Sequence, residues 1–447
     1  MIEQLQGQMG ERCSVNPYIL AAHGRDENAT PGQLPLAVVF AETVADVQAT
    51  LAWARAAQTP VIAFGAGTSF EGHIVPQAPA ISLDLSRMNH VLRITPEDFT
   101  VTVEPGVTRH QLNAALRHVG LFFPVDPGAD ATLGGMAATN ASGTTTVRYG
   151  GMHQNVLALE AVLANGDLVQ LGRAVRKSSS GYDLRDLFIG SGGTLGIITQ
   201  LTLRLHPIPD VTHTVRAVFP TVAAAAEAAY QVMAQALPVA RLELLDDRSI
   251  ATLNRGLGRN DPEQPTLLME FHSSTPAALA AEVTLMADIV NGCGAVQVAQ
   301  AQTKDEQARL WEIRHKAYWT FVSQYPGCRY TITDVAVPLA QLVDAVQFAH
   351  DLLDELGLKG CLLGHVGDGN FHTFLATSPA EAEQAHVYAT RLVTYALGVG
   401  GTASGEHGIG VVKRPFLAAE HGLSLTWMRQ IKDLFDPQHL LNPGKDV

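Results

Sequence analysis

The chain has 447 residues, of which 47% are apolar and 16% charged. That composition excludes a disordered protein and asks for two or three packed units rather than one core. The formal net charge of −13 argues against nucleic acid or an anionic membrane as the primary partner. Cys13, Cys293, Cys328 and Cys361 are scattered without a CxxC spacing, so no disulfide framework is expected and a reducing compartment fits. The opening MIEQLQGQMGERCSV lacks the basic and apolar regions of a signal peptide, and no stretch has the length of a membrane span. A cytoplasmic protein is expected.

Taken in order, residues 35–206 mix strand and helix signals. TVADVQATLAWARAAQ, from Thr43, combines a T-x-x-D cap with apolar Val44, Val47 and Leu51, an amphipathic helix. TPVIAFG, AISLDL and TVTVEPG read as strands, and TRHQLNAALRHVG as a helix ended by Gly120. LALEAVLANGDLVQLG is two β runs joined by Asn165-Gly166, and GIITQLTLRLHP is a strand stopped by Pro207. Beyond Pro209 the order becomes β-α-β-β-α-β, the ferredoxin-like split arrangement, followed by a helix, the strand TITDVAVPL and a helix over 339–356. The expected organisation is α+β: an N-terminal segment (1–30), a first domain (31–208), a second domain (209–425) and a C-terminal tail (426–447) docked on the first.

Three stretches are dense in small residues. AFGAGTSFEGH (Ala63–His73) follows a strand, and such residues let backbone N–H groups approach an anion closely. A Rossmann fingerprint would need a helix to begin here, but IVPQAPAISLDL continues as loop and strand, and a mere tight turn is the competing reading. VDPGADATLGGMAATNASGTTTVRYGG (Val125–Gly151) is too small and neutral to build its own core and suits an extended ligand. SGGTLGIITQ repeats the theme at the start of a strand.

These segments resemble the flavin-binding domain of the vanillyl-alcohol oxidase superfamily, whose PCMH-type fold binds FAD without a Rossmann unit. FGAGTSFEG is similar to its pyrophosphate loop, PGADATLGGMAATNASGT to the segment lining the ribityl chain and ring, and KSSSGYDLRDLFIGSGGTLGIIT to a further signature. The resemblance implies a PCMH-type FAD domain over 31–208 and a ferredoxin-like substrate domain after it. It also implies flavin contacts at Gly65, Ala66, Gly67, Thr68, Ser69, Gly72, Pro127, Gly128, Ala129, Thr132, Gly134, Gly135, Ala138, Ser142, Gly143, Thr145, Gly196, Ile198 and Asn442. The family usually reads G-S-E-G-T-L-G, and Gly192 stands where that glutamate would. No counterpart of a covalently tethering histidine is evident, so non-covalent FAD is expected. Asp183 and Asp186 read as structural.

GHVGDGNFH (Gly364–His372) places two histidines on either side of a Gly-Asp-Gly turn signal. If the chain folds back there, His365 and His372 come from neighbouring strands and can share a metal ion. In SGEHGIGVVKRPFL (Ser404–Leu417), adjacent Glu406 and His407 point different ways, so one can ligate a metal while the other faces a substrate. Two histidines and a carboxylate with open positions form a common catalytic-metal set. With 17 histidines in the chain, a hydrogen-bonded structural role is the competing reading.

Both motifs resemble those of the FAD-dependent D-2-hydroxy-acid dehydrogenases, with the cytochrome-linked D-lactate branch nearest. The resemblance implies His365, His372 and Glu406 as ligands of a divalent metal (zinc, manganese or iron) and His407 as the base. It favours Arg314, in WEIRHKAY, as the clamp on a substrate carboxylate over an arginine on a solvated helix face. Asn370 is a further substrate candidate. The implied reaction is oxidation of a D-2-hydroxy acid, D-lactate foremost, with electrons passing to a cytochrome, a quinone or an electron-transfer flavoprotein. D-2-hydroxyglutarate dehydrogenase and the flavin subunit of a glycolate oxidase are the alternatives, and a non-catalytic electron-transfer subunit is the contrasting class. A homodimer and a location peripheral to a membrane are compatible with these readings. Where hydroxyglutarate dehydrogenases carry a lysine and an asparagine for the distal carboxylate, this chain has Ile332 and Phe374, which implies a small apolar substrate tail.

Overall fold

Thr43 opens the Val44–Ala57 helix with a reciprocal cap. Its hydroxyl accepts from the Asp46 N–H at 3.2 Å, and the Asp46 carboxylate accepts from the Thr43 N–H at 3.1 Å. The helix buries Val47, Leu51 and Ala54 against the strands Ala37–Phe40, Val61–Phe64 and Ile81–Asp84. These strands run parallel, as β-α-β connections require, and Cys13–Ser14 adds an antiparallel edge. A computed structural model of the protein describes residues 2–447 and divides them into two units. The first takes the chain through Gly143, then Gly150–Ile208 and Glu406–Val447; the second takes Thr144–Tyr149 and Pro209–Gly405.

The rest of the first unit is an antiparallel sheet ordered Val91–Thr95, Thr100–Val103, Ile197–Arg204, Val156–Val162, Leu168–Gly172. The Arg109–Leu116 helix seals its core with Leu112 and Leu116, each fully buried and worth roughly 1.5–3 kcal/mol. Gly120 follows in the left-handed conformation, φ +68°, which a side chain would strain.

The second unit is built on an eight-stranded antiparallel sheet. Its first part runs Gln297–Gln300, Val211–Val218, Thr266–Ser273, Val239–Leu245, the 4-1-3-2 order of a ferredoxin-like half. Lys359–Gly364, Asn370–Thr377 and Arg329–Ile332 extend it beyond Val239–Leu245.

Four expectations change. An extra helix, Asp247–Leu257, separates Val239–Leu245 from Thr266–Ser273; Asp246 caps it by accepting from the Ser249 N–H at 2.7 Å. The stretch TITDVAVPL is two strands, Arg329–Ile332 and Val335–Ala336, broken at Thr333-Asp334 because both side chains and the Thr333 carbonyl bond to the neighbouring Asn370–Thr377 strand. The 1–30 segment is part of the first unit, since the Ile2–Met9 helix buries Leu5 and Met9 in that unit's core. The chain rejoins the first unit at Glu406 rather than at 426, because the loop after Glu406 bonds to Glu71.

Candidate functional site

In the second unit the Gly-Asp-Gly turn closes a hairpin between Lys359–Gly364 and Asn370–Thr377, with Gly369 at φ +82°. His372 lies in the second strand opposite Leu363; His365 lies one residue past the first strand, not within it as expected. The two rings nonetheless meet, centroids 5.4 Å apart and nearly perpendicular, each side chain under a tenth exposed. A ring nitrogen of one lies within 4.8 Å of a ring nitrogen of the other. The His365 Nδ1–H donates to Glu243 Oε1 at 2.5 Å, and the His372 Nδ1–H to the Thr333 carbonyl at 3.2 Å. An ionised carboxylate and a carbonyl only accept, so in the neutral rings both protons are on Nδ1 and both lone pairs on Nε2. Metal-binding histidines are braced in this way.

Glu243 is fully buried and also accepts from Arg314 Nε at 2.6 Å. Burial alone would push its carboxyl up; the charge of the His365 ring when protonated and that of Arg314, with their hydrogen bonds, outweigh that and hold it at about 2. Arg314 is therefore not on a solvated helix face: its side chain is mostly buried against Glu243. Tyr318 and Phe321 follow it on the same face of the Lys304–Gln324 helix and pack on Phe374. Phe374 pairs across the ladder with Ile332 and shares a strand face with His372 two residues before it. The metal-ligand candidate, the arginine and an apolar wall thus line one side of the sheet.

Asn370 donates to Asp334 Oδ1 at 2.7 Å and to the Val335 carbonyl at 2.8 Å, while its own buried Oδ1 has no protein partner. Asp334 accepts in turn from Ser404 Oγ at 2.8 Å, and Gly405 packs so tightly on Asn370 that a Cβ would lie 2.0 Å from Nδ2. The next residue in the chain is Glu406.

In the first unit, Glu406 Oε2 accepts from Ser142 Oγ at 2.8 Å. The His407 ring lies tilted against Phe70, centroids 4.9 Å apart, with Nδ1 3.5 Å from Glu71 Oε1; Lys413 Nζ is 3.2 Å from the same oxygen. The Glu71 carbonyl accepts from the N–H groups of Val411 and Val412, so one residue of the first glycine loop turns its carboxylate toward the ring and anchors the loop that carries it.

The first two small-residue loops converge: a Cβ on Gly65 would lie 2.2 Å from Thr132 Oγ1. Gly67 is at φ +73° against Phe64, and the Gly72 N–H donates to Asp26 at 2.8 Å. Gly134 packs on Pro105 and Gly143 on the Asp126 carbonyl, while Ala66, Gly128 and Gly135 are exposed and Gly65, Thr68, Ser69, Pro127, Ala129 and Ala138 half-exposed. Ser69 Oγ and Asn442 Oδ1 are buried without a protein partner. Accessible backbone and orphaned polar atoms suit a large polar ligand such as FAD. Three of the expected contact residues have other neighbours as well. Thr145 belongs to the passage clustered with the second unit, Gly196 makes room for Phe188, and the Ile198 side chain is in the core. Asp183 is structural, its carboxylate accepting from the Asp186 N–H at the start of the Leu184–Phe188 helix.

Comparison with known proteins decides the family. The model of the FAD binding domain matches residues 35–172, and that of the FAD linked oxidases' C-terminal domain matches 208–445. A probable mitochondrial D-lactate dehydrogenase of Danio rerio is 42% identical over 97% of this chain and 89% of its own length. The chain belongs to the FAD-dependent D-2-hydroxy-acid dehydrogenases. Another member of this family, the mitochondrial D-lactate dehydrogenase [cytochrome] of Arabidopsis thaliana, is 40% identical over 100% of the chain and 79% of its length. Among solved structures, p-cresol methylhydroxylase with substrate bound shares the PCMH-type fold, with a TM-score of 0.77 at 18% identity, over 100% of this chain and 96% of that one. Among the described residues, no helix is long and apolar enough to cross a membrane.

Glu243, Glu71 and Tyr318 were not singled out in the sequence. Glu243 carried a signal, as a lone acid inside the apolar strand run ARLELL.

Proposed function

We propose that this FAD-linked dehydrogenase oxidises a small D-2-hydroxy acid, D-lactate or a short alkyl homologue, and that a divalent metal on His365, His372 and Glu406 serves the reaction. The observation that carries the reading is the pair of buried imidazoles braced at Nδ1, a donor set suited to zinc, manganese or iron. Bound there, the metal would supply Lewis acidity toward the hydroxyl and carboxylate oxygens, and FAD the capacity to accept a hydride.

The chain's own residues do the rest. Arg314, aligned by Glu243, clamps the substrate carboxylate and sets the pose. His407, with Nδ1 turned to Glu71, takes the hydroxyl proton at Nε2, and the Glu71 carboxylate stabilises the imidazolium that forms. Asn370, through its unpartnered carbonyl oxygen, accepts from the substrate side. Electrons leave to an external acceptor.

Ile332 and Phe374, each 6% exposed, set the size limit. A distal carboxylate buried against them would cost roughly several kcal/mol, whereas an alkyl tail gains roughly 0.8 kcal/mol per CH₂. Steady-state kcat/KM for D-lactate, D-2-hydroxybutyrate, D-malate and D-2-hydroxyglutarate, with and without chelator, tests the reading. The first two should be strongly preferred and chelation should abolish turnover with FAD retained. A preference for the dicarboxylates contradicts the pocket, and undiminished turnover after chelation contradicts the metal.

A further inference from the structure

The GEHGIG loop that carries Glu406 and His407 is gripped a second time, by the C-terminal tail. Asp446 Oδ1 accepts from the Gly410 N–H at 3.0 Å, and the Asp446 N–H donates to the Gly410 carbonyl at 3.1 Å. The same carboxylate oxygen lies 3.3 Å from His73 Nε2. Gly408 in turn packs on that histidine, where a Cβ would come within 2.8 Å of Nε2. The tail is tied down around this clasp. Asn442 Nδ2 donates to the carbonyls of His73 and Gly192 at 3.1 and 2.7 Å, and Lys445 Nζ to the His73 carbonyl at 2.6 Å.

Gly192 explains why the clasp can form. A Cβ built there would lie 1.7 Å from Asp446 Oδ2, an impossible contact, so the carboxylate occupies the space a side chain at 192 would need. Position 192 is where the family's usual G-S-E-G-T-L-G places a glutamate. Burial would raise the Asp446 carboxyl, but His73, the Gly410 N–H and Lys445 overcome this and keep it below its ordinary value.

We propose that Asp446 is a positioning residue for the catalytic loop: it delivers from the tail the carboxylate that position 192 lacks, and through Gly410 and His73 it holds His407 in its working place. The proposal rests on the reading of His407 as the base. Asp446 touches no reacting atom; it acts by restricting where the loop can sit, and a misplacement of about 1 Å can cost about 100-fold in rate.

The test uses the FAD-loaded full chain and D-lactate. Asp446→Ala should lower kcat about 10–100-fold with KM and FAD content little changed. Asp446→Asn, which keeps an acceptor for the Gly410 N–H, should fall between that variant and the parent. Moving the carboxylate back, in Gly192→Glu combined with Asp446→Ala, should recover most of the lost kcat. In a His407→Gln background, Asp446→Ala should cost little more, because the two act as one unit. Parent kcat in Asp446→Ala overturns the proposal, and so does an undiminished Asp446→Ala effect in the His407→Gln background. If Asp446→Ala does not fold, Asp446→Asn and Gly192→Ala, which crowds the carboxylate, decide the matter: unchanged kcat in both overturns it. Full activity in His407→Gln alone would instead remove the base and leave the loop without that task.

Discussion

The two candidate motifs, one in each unit, are supported by opposite means. His365 and His372 belong to a strand hairpin in a continuous sheet, and their rings are braced by a buried carboxylate and a backbone carbonyl. Glu406 and His407 sit in a loop with little regular structure, placed by backbone contacts to Glu71 and the tail. A group that must hold a fixed coordination geometry benefits from the stiffness of paired strands. A loop without regular structure needs separate anchors, and this one is pinned by Glu71 and by Asp446. In the proposed function the sheet would fix the metal ligands and the loop would carry the base.

The sharpest way to break that comparison is to remove the proposed base and leave the hairpin intact. His407→Gln should lower kcat about 10²–10⁴-fold, the usual span for a general base, with FAD and metal content unchanged. Steady-state rates and elemental analysis of one preparation check this.

Glu243→Gln attacks the hairpin's brace. It leaves the Arg314 charge buried without its partner carboxylate, which should cost about 3–5 kcal/mol of stability, and metal affinity should fall about 10–100-fold. The pH dependence has a defined sign. The folded carboxyl is held at about 2 against an ordinary 4.5, so its contribution is present above about pH 4.5 and is lost as pH falls toward 2. That contribution is roughly 3 kcal/mol. Denaturant melts between pH 5 and pH 2 should show a steep acid limb in the parent that is shallower in Glu243→Gln.

Glu71→Gln sharpens the loop side at smaller scale. It keeps the backbone carbonyl that holds Val411 and Val412 but removes the charge facing His407 and Lys413. We expect kcat to fall about tenfold, within the range of removing an orienting partner, and metal content to stay at the parent level.

Much of this was legible in the sequence, for reasons specific to each element. The T-x-x-D cap at Thr43 and the Asn165-Gly166 turn are local, and local signals survive folding. The histidine pair was legible because the Gly-Asp-Gly turn dictates that the chain reverses. The brace was not, because Glu243 and Arg314 meet across 71 positions of sequence and nothing near either residue announces the other. Asp334 was hidden by its neighbours: TITDVAVPL alternates like one strand, yet side-chain and carbonyl bonds to the next strand break it in two. The early return at Glu406 escaped notice because backbone bonds to Glu71, invisible in composition, set it.

The division of labour between hairpin and loop is tested most directly by metal content. Elemental analysis of chelator-free preparations of the parent, His372→Ala and His407→Gln, each normalised to bound FAD, is the measurement. The account predicts about one divalent metal per chain in the parent and in His407→Gln, and almost none in His372→Ala, with FAD retained in all three. Equal metal in all three, or its loss from His407→Gln alone, would contradict it.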